Sequence, residues 1–167
     1  MAETAQRDRL LPSLLDRLTD DAPESKTESR DFKVLSLRQL RQNVLRDLSW
    51  LMNATALETV SEIGDRPLVR DSVLNYGMPS LSGVCASGIN LRSLQQKIRE
   101  AIIAFEPRIL PDSLSVQGIT KDGVAAHNVL SFRIQAQLWA QPAPIELLMQ
   151  TDIDLESGQT RMVEAPR

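Results

Sequence analysis

The chain has 167 residues, a formal net charge of -3, 42% apolar residues and 25% charged residues, which is typical of a single globular domain. The acidic balance argues against nucleic acid as the main partner, and the single cysteine excludes an internal disulfide. The chain has no apolar leader and no apolar run of about eighteen residues, so the sequence predicts neither a signal peptide nor a membrane span.

Residues 1–31 are predicted to form a flexible N-terminal arm with a short docking helix at about residues 10–18. In that helix Leu14, Leu15 and Leu18 recur at helical spacing, and the polar stretch that follows is typical of a tether. A helix of this length is marginal in water by itself, so it must dock. Two interpretations remain open: the helix docks on its own domain, or it binds a partner.

The folded domain is predicted to span residues 32–158 and to begin with a long amphipathic helix. Ser36 and Gln39 have the spacing of a capping box, and an apolar stripe then continues to about Met52. The polar residues of this helix are expected to face solvent; they include Arg38, Arg41, Arg46 and Asp47.

A second amphipathic helix is predicted over residues 90–105, with Asn90 as its N-cap. Pro107 disfavours helical backbone at Glu106, so the helix should end there. Glu106 and Arg108 are then two opposite charges on either side of a rigid proline, where the chain leaves an apolar helix. Such charges must be solvated, paired within the domain or paired with a partner.

After this helix the apolar period changes from 3.6 to 2, which predicts strands over residues 113–121, 129–140 and 145–155. The expected fold class is α+β: amphipathic helices followed by a three-stranded antiparallel β-meander, with the helices packed on one face of the sheet. Residues 159–167 are predicted to be a loose C-terminal tail.

Candidate catalytic residues are few. His127 and Cys85 lie in no recognisable nucleophile motif, the chain has too few histidines and cysteines for a zinc site, and no phosphate-binding loop occurs. We therefore expect no cofactor and no metal. Glu106 has the setting of a glycosidase acid at the end of an apolar helix, but the neighbouring Arg108 cation favours the ionised carboxylate, whereas a general acid must keep its proton.

Four segments carry a resemblance to a known family: the leader SLLDRL, the helix ending LSWLMN, the segment SVLNYGMPSLSG and the helix ending FEPRI. Together they resemble TssE, the type VI secretion baseplate wedge subunit, which is related to phage baseplate wedge proteins once labelled lysozyme-like. The resemblance covers about residues 10–155. It implies a cytoplasmic, non-catalytic structural subunit that sits in the wedge with TssF and TssG, near TssK.

The resemblance also implies a role in starting assembly of the TssB–TssC sheath on the baseplate. The family's EPR motif falls on Glu106, Pro107 and Arg108, which would be partner-binding, and the leader around Leu14, Leu15 and Leu18 would be a wedge contact. A sheath strand could add to an exposed sheet edge, and residues 145–155 or 113–121 are the expected edges. The alternative function is a peptidoglycan-cleaving muramidase that uses Glu106.

Overall fold

The structure is a computed structural model that describes residues 13–19, 23–24, 36–63, 65–81, 89–119, 129–140 and 143–165. Its helices are α1 (Leu14–Leu18), α2 (Leu37–Asn53), α3 (Leu57–Val60), α4 (Pro67–Arg70) and α5 (Leu91–Phe105), with 3-10 turns at Val73–Asn75 and Pro111–Ser113. Its strands are β1 (Ser115–Ile119), β2 (Val129–Leu138), β3 (Ile145–Asp154) and β4 (Thr160–Glu164). Within these ranges, no helix has the length and apolar character needed to cross a membrane.

The two long helices begin and end where their local sequence signals predict. The Ser36 hydroxyl accepts the main-chain N–H of Gln39 at 3.2 Å, and the Gln39 side chain accepts the N–H of Ser36 at 3.0 Å, which completes the capping box of α2. Asn90 caps α5 by accepting the N–H of Ser93 at 3.1 Å. Because Pro107 restricts the preceding residue, α5 ends with Glu106 as its C-cap.

The sheet is antiparallel with strand order β1-β2-β3-β4, so the α+β class is correct but the prediction of three strands is wrong. The fourth strand lies in the segment predicted to be a loose tail. It has five residues, of which only Thr160 and Met162 are buried, and so short an alternation is not distinguishable from a polar tail in the sequence. Because β4 pairs with β3, the prediction that residues 145–155 form a sheet edge is also wrong.

Helices and strands contribute to one hydrophobic core. Leu48 of α2, Ile98 of α5 and Phe132 of β2 are all fully buried members of it. The inward-facing side of β2 matches the predicted alternation, since every second residue from Phe132 to Leu138 is buried. The core is mainly aliphatic, as the low aromatic content of the sequence indicates, with Phe132 as its buried aromatic residue in the described part of the chain.

Candidate functional site

The exit of α5 is a tight charged corner built by Glu106, Pro107 and Arg108. The Glu106 side chain accepts three hydrogen bonds from Arg108: from its main-chain N–H at 3.2 Å, from Nε at 2.6 Å and from Nη2 at 2.5 Å. Glu106 is only 3% exposed. The proline between the two residues fixes the backbone, so the guanidinium folds back onto the carboxylate as a two-pronged ion pair.

A third charged residue, Asp47 of α2, completes the corner. Its Oδ2 lies 2.5 Å from Nη2 of Arg108. Burial by itself lowers the pKa of Arg108, but its hydrogen bonds and charge contacts with Glu106, and then with Asp47, raise the pKa well above its ordinary value. The structure therefore pairs Arg108 inside the domain, with two carboxylates.

The prediction that all polar residues of α2 face solvent is wrong for Arg41, Arg46 and Asp47. Arg41 donates to the main-chain oxygen of Glu146 at 3.2 Å, and Arg46 and Asp47 form an ion pair at 2.7 Å. Asp47 follows the buried Val44 by three residues, so it lies at the border of the apolar stripe. That position is the only sign of its role in the sequence, because its partner Arg108 is 61 residues away.

Two aromatic side chains, Tyr76 and Phe105, lie beside the corner. The rings of Tyr76 and Phe105 meet edge to face, with centroids 5.3 Å apart, and the Tyr76 hydroxyl donates to the main-chain oxygen of Asp47 at 3.4 Å. Burial raises the pKa of Tyr76, and the charges of Asp47 and Glu106 raise it further. Tyr76 belongs to the SVLNYG segment, so two of the segments that carry the family resemblance meet at this site.

The corner is also attached to the sheet. The main-chain oxygen of Arg108 accepts the N–H of Trp139 at 2.8 Å, and the N–H of Leu110 donates to the oxygen of Gln137 at 2.9 Å. Glu106, Pro107 and Arg108 thus lie where α5 is joined to the end of β2. A force or a partner acting on this corner would act on a helix and a strand together.

The leader helix α1 docks near this corner through polar groups. Asp16 accepts hydrogen bonds from the Ser13 hydroxyl at 2.6 Å and from the Asn43 amide at 2.9 Å, and it lies 2.8 Å from Nη1 of Arg46. The three predicted contact leucines do not enter the core: Leu14, Leu15 and Leu18 are 72%, 47% and 74% exposed. The structure therefore docks the leader on its own domain and leaves its apolar side available.

The docking of α1 is expected to depend on pH through Asp16. Burial raises the pKa of Asp16, but its hydrogen bonds with Ser13 and Arg46 and the charge of Arg46 outweigh burial, so the pKa lies below the ordinary 3.8. Ser13 belongs to the leader itself, so only the part of the lowering that comes from Arg46 links the ionisation of Asp16 to docking. That part stabilises docking above the ordinary pKa, and the contribution is lost as pH falls through the lowered pKa. In an NMR titration, the Asn43 side-chain amide signals should move with a midpoint below pH 3.8. A midpoint at or above 3.8, or the same titration in Asp16→Asn, would contradict this assignment.

The sequence offers two other candidate residues for chemistry. Cys85 and His127 both lie outside the described residues. Over the described ranges, no group of three or more His, Cys, Asp or Glu residues is arranged to hold a metal ion. Within the part of the chain that the structure describes, the corner of Glu106, Pro107 and Arg108 therefore remains the candidate site.

Comparisons with known proteins identify the family of the chain. No curated protein matches it. Among solved structures, a candidate tail lysozyme from Geobacter sulfurreducens is similar, with 18% sequence identity, a TM-score of 0.43, and coverage of 80% of this chain and 96% of that one. The family model of the baseplate wedge protein gp25 matches residues 38–143, which is more than half of the chain. The chain therefore belongs to the gp25 family of baseplate wedge proteins.

Proposed function

We propose that this chain is a non-catalytic structural subunit of a type VI secretion baseplate wedge, which acts in the cytoplasm and helps connect the wedge to the contractile sheath. Membership of the baseplate wedge family supports the baseplate part of this proposal. The observation that carries it is the corner of Glu106, Pro107 and Arg108, an ordered ionic turn at the junction of a helix and a strand. In the wedge, α2 and α5 would cover one face of the sheet and leave this junction at the surface.

Within the described part of the chain, Arg108 keeps donor capacity for another subunit. Its Nε and Nη2 are used by Glu106 and Asp47, while the side chain is still 24% exposed. A guanidinium carries five N–H donors in a rigid fork, so Nη1 is suited to a main-chain oxygen or a carboxylate of a partner. We propose TssF and TssG as these partners, with TssK nearby, and the exposed leader residues Leu14, Leu15 and Leu18 as a second contact.

The same geometry supports a structural rather than a catalytic role for Glu106. A glycosidase acid needs a proton and a free oxygen that points at the substrate. Both carboxylate oxygens of Glu106 accept hydrogen bonds from Arg108, and the nearby Asp47 binds the same guanidinium instead of facing Glu106 across a cleft. We therefore favour the wedge subunit over a muramidase.

The test is capture of purified TssF–TssG by the full-length chain. Arg108→Ala should lose capture because the partner's acceptor loses its donor, whereas Arg92→Ala, which removes an exposed arginine from the start of α5, should leave capture unchanged. Both variants are compared at a temperature where circular dichroism shows them folded. Normal capture by a folded Arg108→Ala variant would refute the interface role. Release of muropeptides from peptidoglycan by the wild type, abolished in Glu106→Gln, would instead establish the muramidase.

Connection to the TssB–TssC sheath is proposed to use an edge of the sheet, through addition of a sheath strand. At the β4 edge, the Asn53 side chain bonds both the N–H and the C=O of Thr160 at 2.9 Å, so those groups point away from β3. Main-chain groups alternate along an antiparallel strand, so those of Met162 and Glu164 also point outwards. At the other edge, where β2 pairs with β1, the same alternation leaves those of Val116 and Gly118 pointing outwards.

Proline substitutions at these two edges distinguish them. Glu164→Pro and Gly118→Pro each remove one outward N–H and no hydrogen bond to the neighbouring strand, so the domain should stay folded. The variant at the docking edge should fail to start TssB–TssC sheaths, scored by fluorescence microscopy of a labelled sheath. Glu164→Gln controls for the side-chain contact of Glu164 with Arg41 at 3.7 Å. Normal sheath formation in both proline variants would count against strand addition.

A further inference from the structure

We infer that Asp16, Arg46 and Asp47 are positioning residues that hold the leader helix α1 in register with the corner of Glu106, Pro107 and Arg108. On this inference, α1 and the corner form one composite surface for the wedge, and the leader is not an independent contact on a tether. The inference rests on the proposed function, and it adds three residues to the site and a physical connection between its two parts.

The helix α1 docks on α2 by its polar side. Its leucines face outwards, while the Asp16 side chain is only 10% exposed and turns towards α2. There Asp16 has two partners on α2, the Asn43 amide at 2.9 Å and Nη1 of Arg46 at 2.8 Å. A carboxylate with this degree of burial and this many partners restricts the orientation of a five-residue helix far more than an exposed ion pair would.

Arg46 connects α1 to the corner. Its Nη1 binds Asp16, and its Nε binds Oδ1 of Asp47 at 2.9 Å. The guanidinium also lies over the ring of Trp50, with its carbon 5.0 Å from the ring centroid. Three contacts in different directions leave Arg46 little rotamer freedom. The position of Asp47 therefore fixes where the Arg46 guanidinium can bind Asp16.

The carboxylate of Asp47 is shared between two arginines. Its Oδ1 binds Arg46 and its Oδ2 binds Arg108, which in turn binds Glu106. The resulting row alternates in sign, in the order Asp16, Arg46, Asp47, Arg108 and Glu106. In such a row each charge is compensated by its neighbours, so loss of one member changes the orientation of the next. The affinity of a partner for Arg108 therefore depends on the position of α1.

The exposed side chains next to this row of charges indicate which kind of partner surface would bind there. Leu14 and Leu18 of α1 and Trp50 of α2 are 72%, 74% and 51% exposed, and Trp50 is linked to α1 through Arg46. The partner that fits this surface is a wedge subunit with an apolar stripe next to an oxygen acceptor. The apolar stripe covers Leu14, Leu18 and Trp50, and the oxygen acceptor binds Nη1 of Arg108.

The test measures the position of α1 directly. In a Cys85→Ser background, spin labels are attached to the cysteines of Arg17→Cys and Gln42→Cys, two exposed positions, and the distance distribution between the labels is recorded by pulsed electron paramagnetic resonance. The parent chain should give one narrow peak, because the Asp16 contacts fix the orientation of α1. Asp16→Asn should lose that narrow peak.

Two further variants control this measurement in the same labelled background. In the presence of Arg46→Gln, Asp16→Asn should cause little further broadening, because the ion pair with Arg46 is already lost and an amide oxygen at position 16 can still accept from Asn43. Arg38 is an exposed arginine of α2, so Arg38→Gln removes a charge from the same helix. This charge-removal control should keep the narrow peak, and broadening in it would mean that net charge, not the Asp16 contacts, positions α1.

The second readout is affinity for TssF–TssG in the full-length, unlabelled chain. Asp16→Asn should weaken binding by about tenfold, or about 1.4 kcal/mol, with only a small decrease in the unfolding midpoint, since α1 contributes no residue to the core cluster. A narrow peak in Asp16→Asn, or a broad peak with unchanged affinity, would overturn the inference. If Arg108→Ala loses capture while Asp16→Asn does not, the proposed function stands and the inference fails. If neither variant weakens capture, the proposed function itself fails.

Discussion

Replacing Arg108 with alanine is expected to lower the free energy of unfolding by about 3–5 kcal/mol. The physical reason lies in Glu106, which is 3% exposed and receives three hydrogen bonds from Arg108. Alanine keeps the main-chain donor but removes both guanidinium donors and the opposite charge, so a buried carboxylate is left largely unpaired. Urea unfolding followed by circular dichroism measures the change, with equal slopes as evidence that both proteins unfold in the same way.

A matched double variant separates the loss of a pair from the loss of a partner. Glu106→Gln with Arg108→Met removes both charges and keeps side chains of similar size, so it should recover most of the lost stability. It should nevertheless fail to capture TssF–TssG, because the guanidinium is absent. A cost below about 1 kcal/mol for Arg108→Ala would mean that the pair behaves like an exposed surface ion pair. Recovery of capture by the double variant would show that the corner is needed only for folding.

Gly77→Ala is expected to destabilise the domain by about 3 kcal/mol or more, from backbone strain and lost hydrogen bonds together. Gly77 has a φ of 134°, a region that residues with a side chain rarely adopt. A Cβ at this position would lie 2.5 Å from the main-chain oxygen of Ala54 and 2.8 Å from the nitrogen of Ala56. Met78 bonds both of these residues, at 2.8 and 2.9 Å, so relief of the clash would break this parallel bridge.

Gly118→Ala is the control for the loss of a glycine. Its Cβ would meet only the flexible end of Gln95 at 3.3 Å and an ordinary contact with Phe132, so the variant should stay within about 1 kcal/mol of the parent. Thermal unfolding of both variants gives the comparison. Equal behaviour of the two would show that the loop after the 3-10 turn is not tightly docked on the end of α2. Because Tyr76 precedes Gly77, the strained variant should also weaken TssF–TssG capture.

Local signals in the sequence were sufficient for most of the elements. The capping box at Ser36 and the cap at Asn90 act over three residues, so they can be recognised without the fold, and both are present. The long alternation in β2 was equally clear, since ten residues offer five independent matches to one period. By contrast, β4 has five residues and gains its order from pairing with β3, which no local pattern records.

The charged corner was predictable in position but not in its contacts. Pro107 after an apolar helix marks the turn, and Glu106 and Arg108 are close in the chain, so a local pair could be expected. Asp47 could not, because it is 61 residues from Arg108 and resembles any polar residue of an amphipathic helix. For the leader, the sequence left docking on the domain and binding of a partner open, and it gave no sign that Asp16 is the group that docks.

The sequence by itself determined where the helices and the long strands lie and where α5 must end, because caps, prolines and apolar periods act between residues a few positions apart. Only the tertiary structure decided that β4 closes the sheet and that Arg108 is shared between Glu106 and Asp47. It also decided that the leader docks through Asp16. These are interactions between distant segments, whose geometry depends on how the core brings α2, α5 and the strands together, and the energies of ion pairs depend on the burial that this assembly creates.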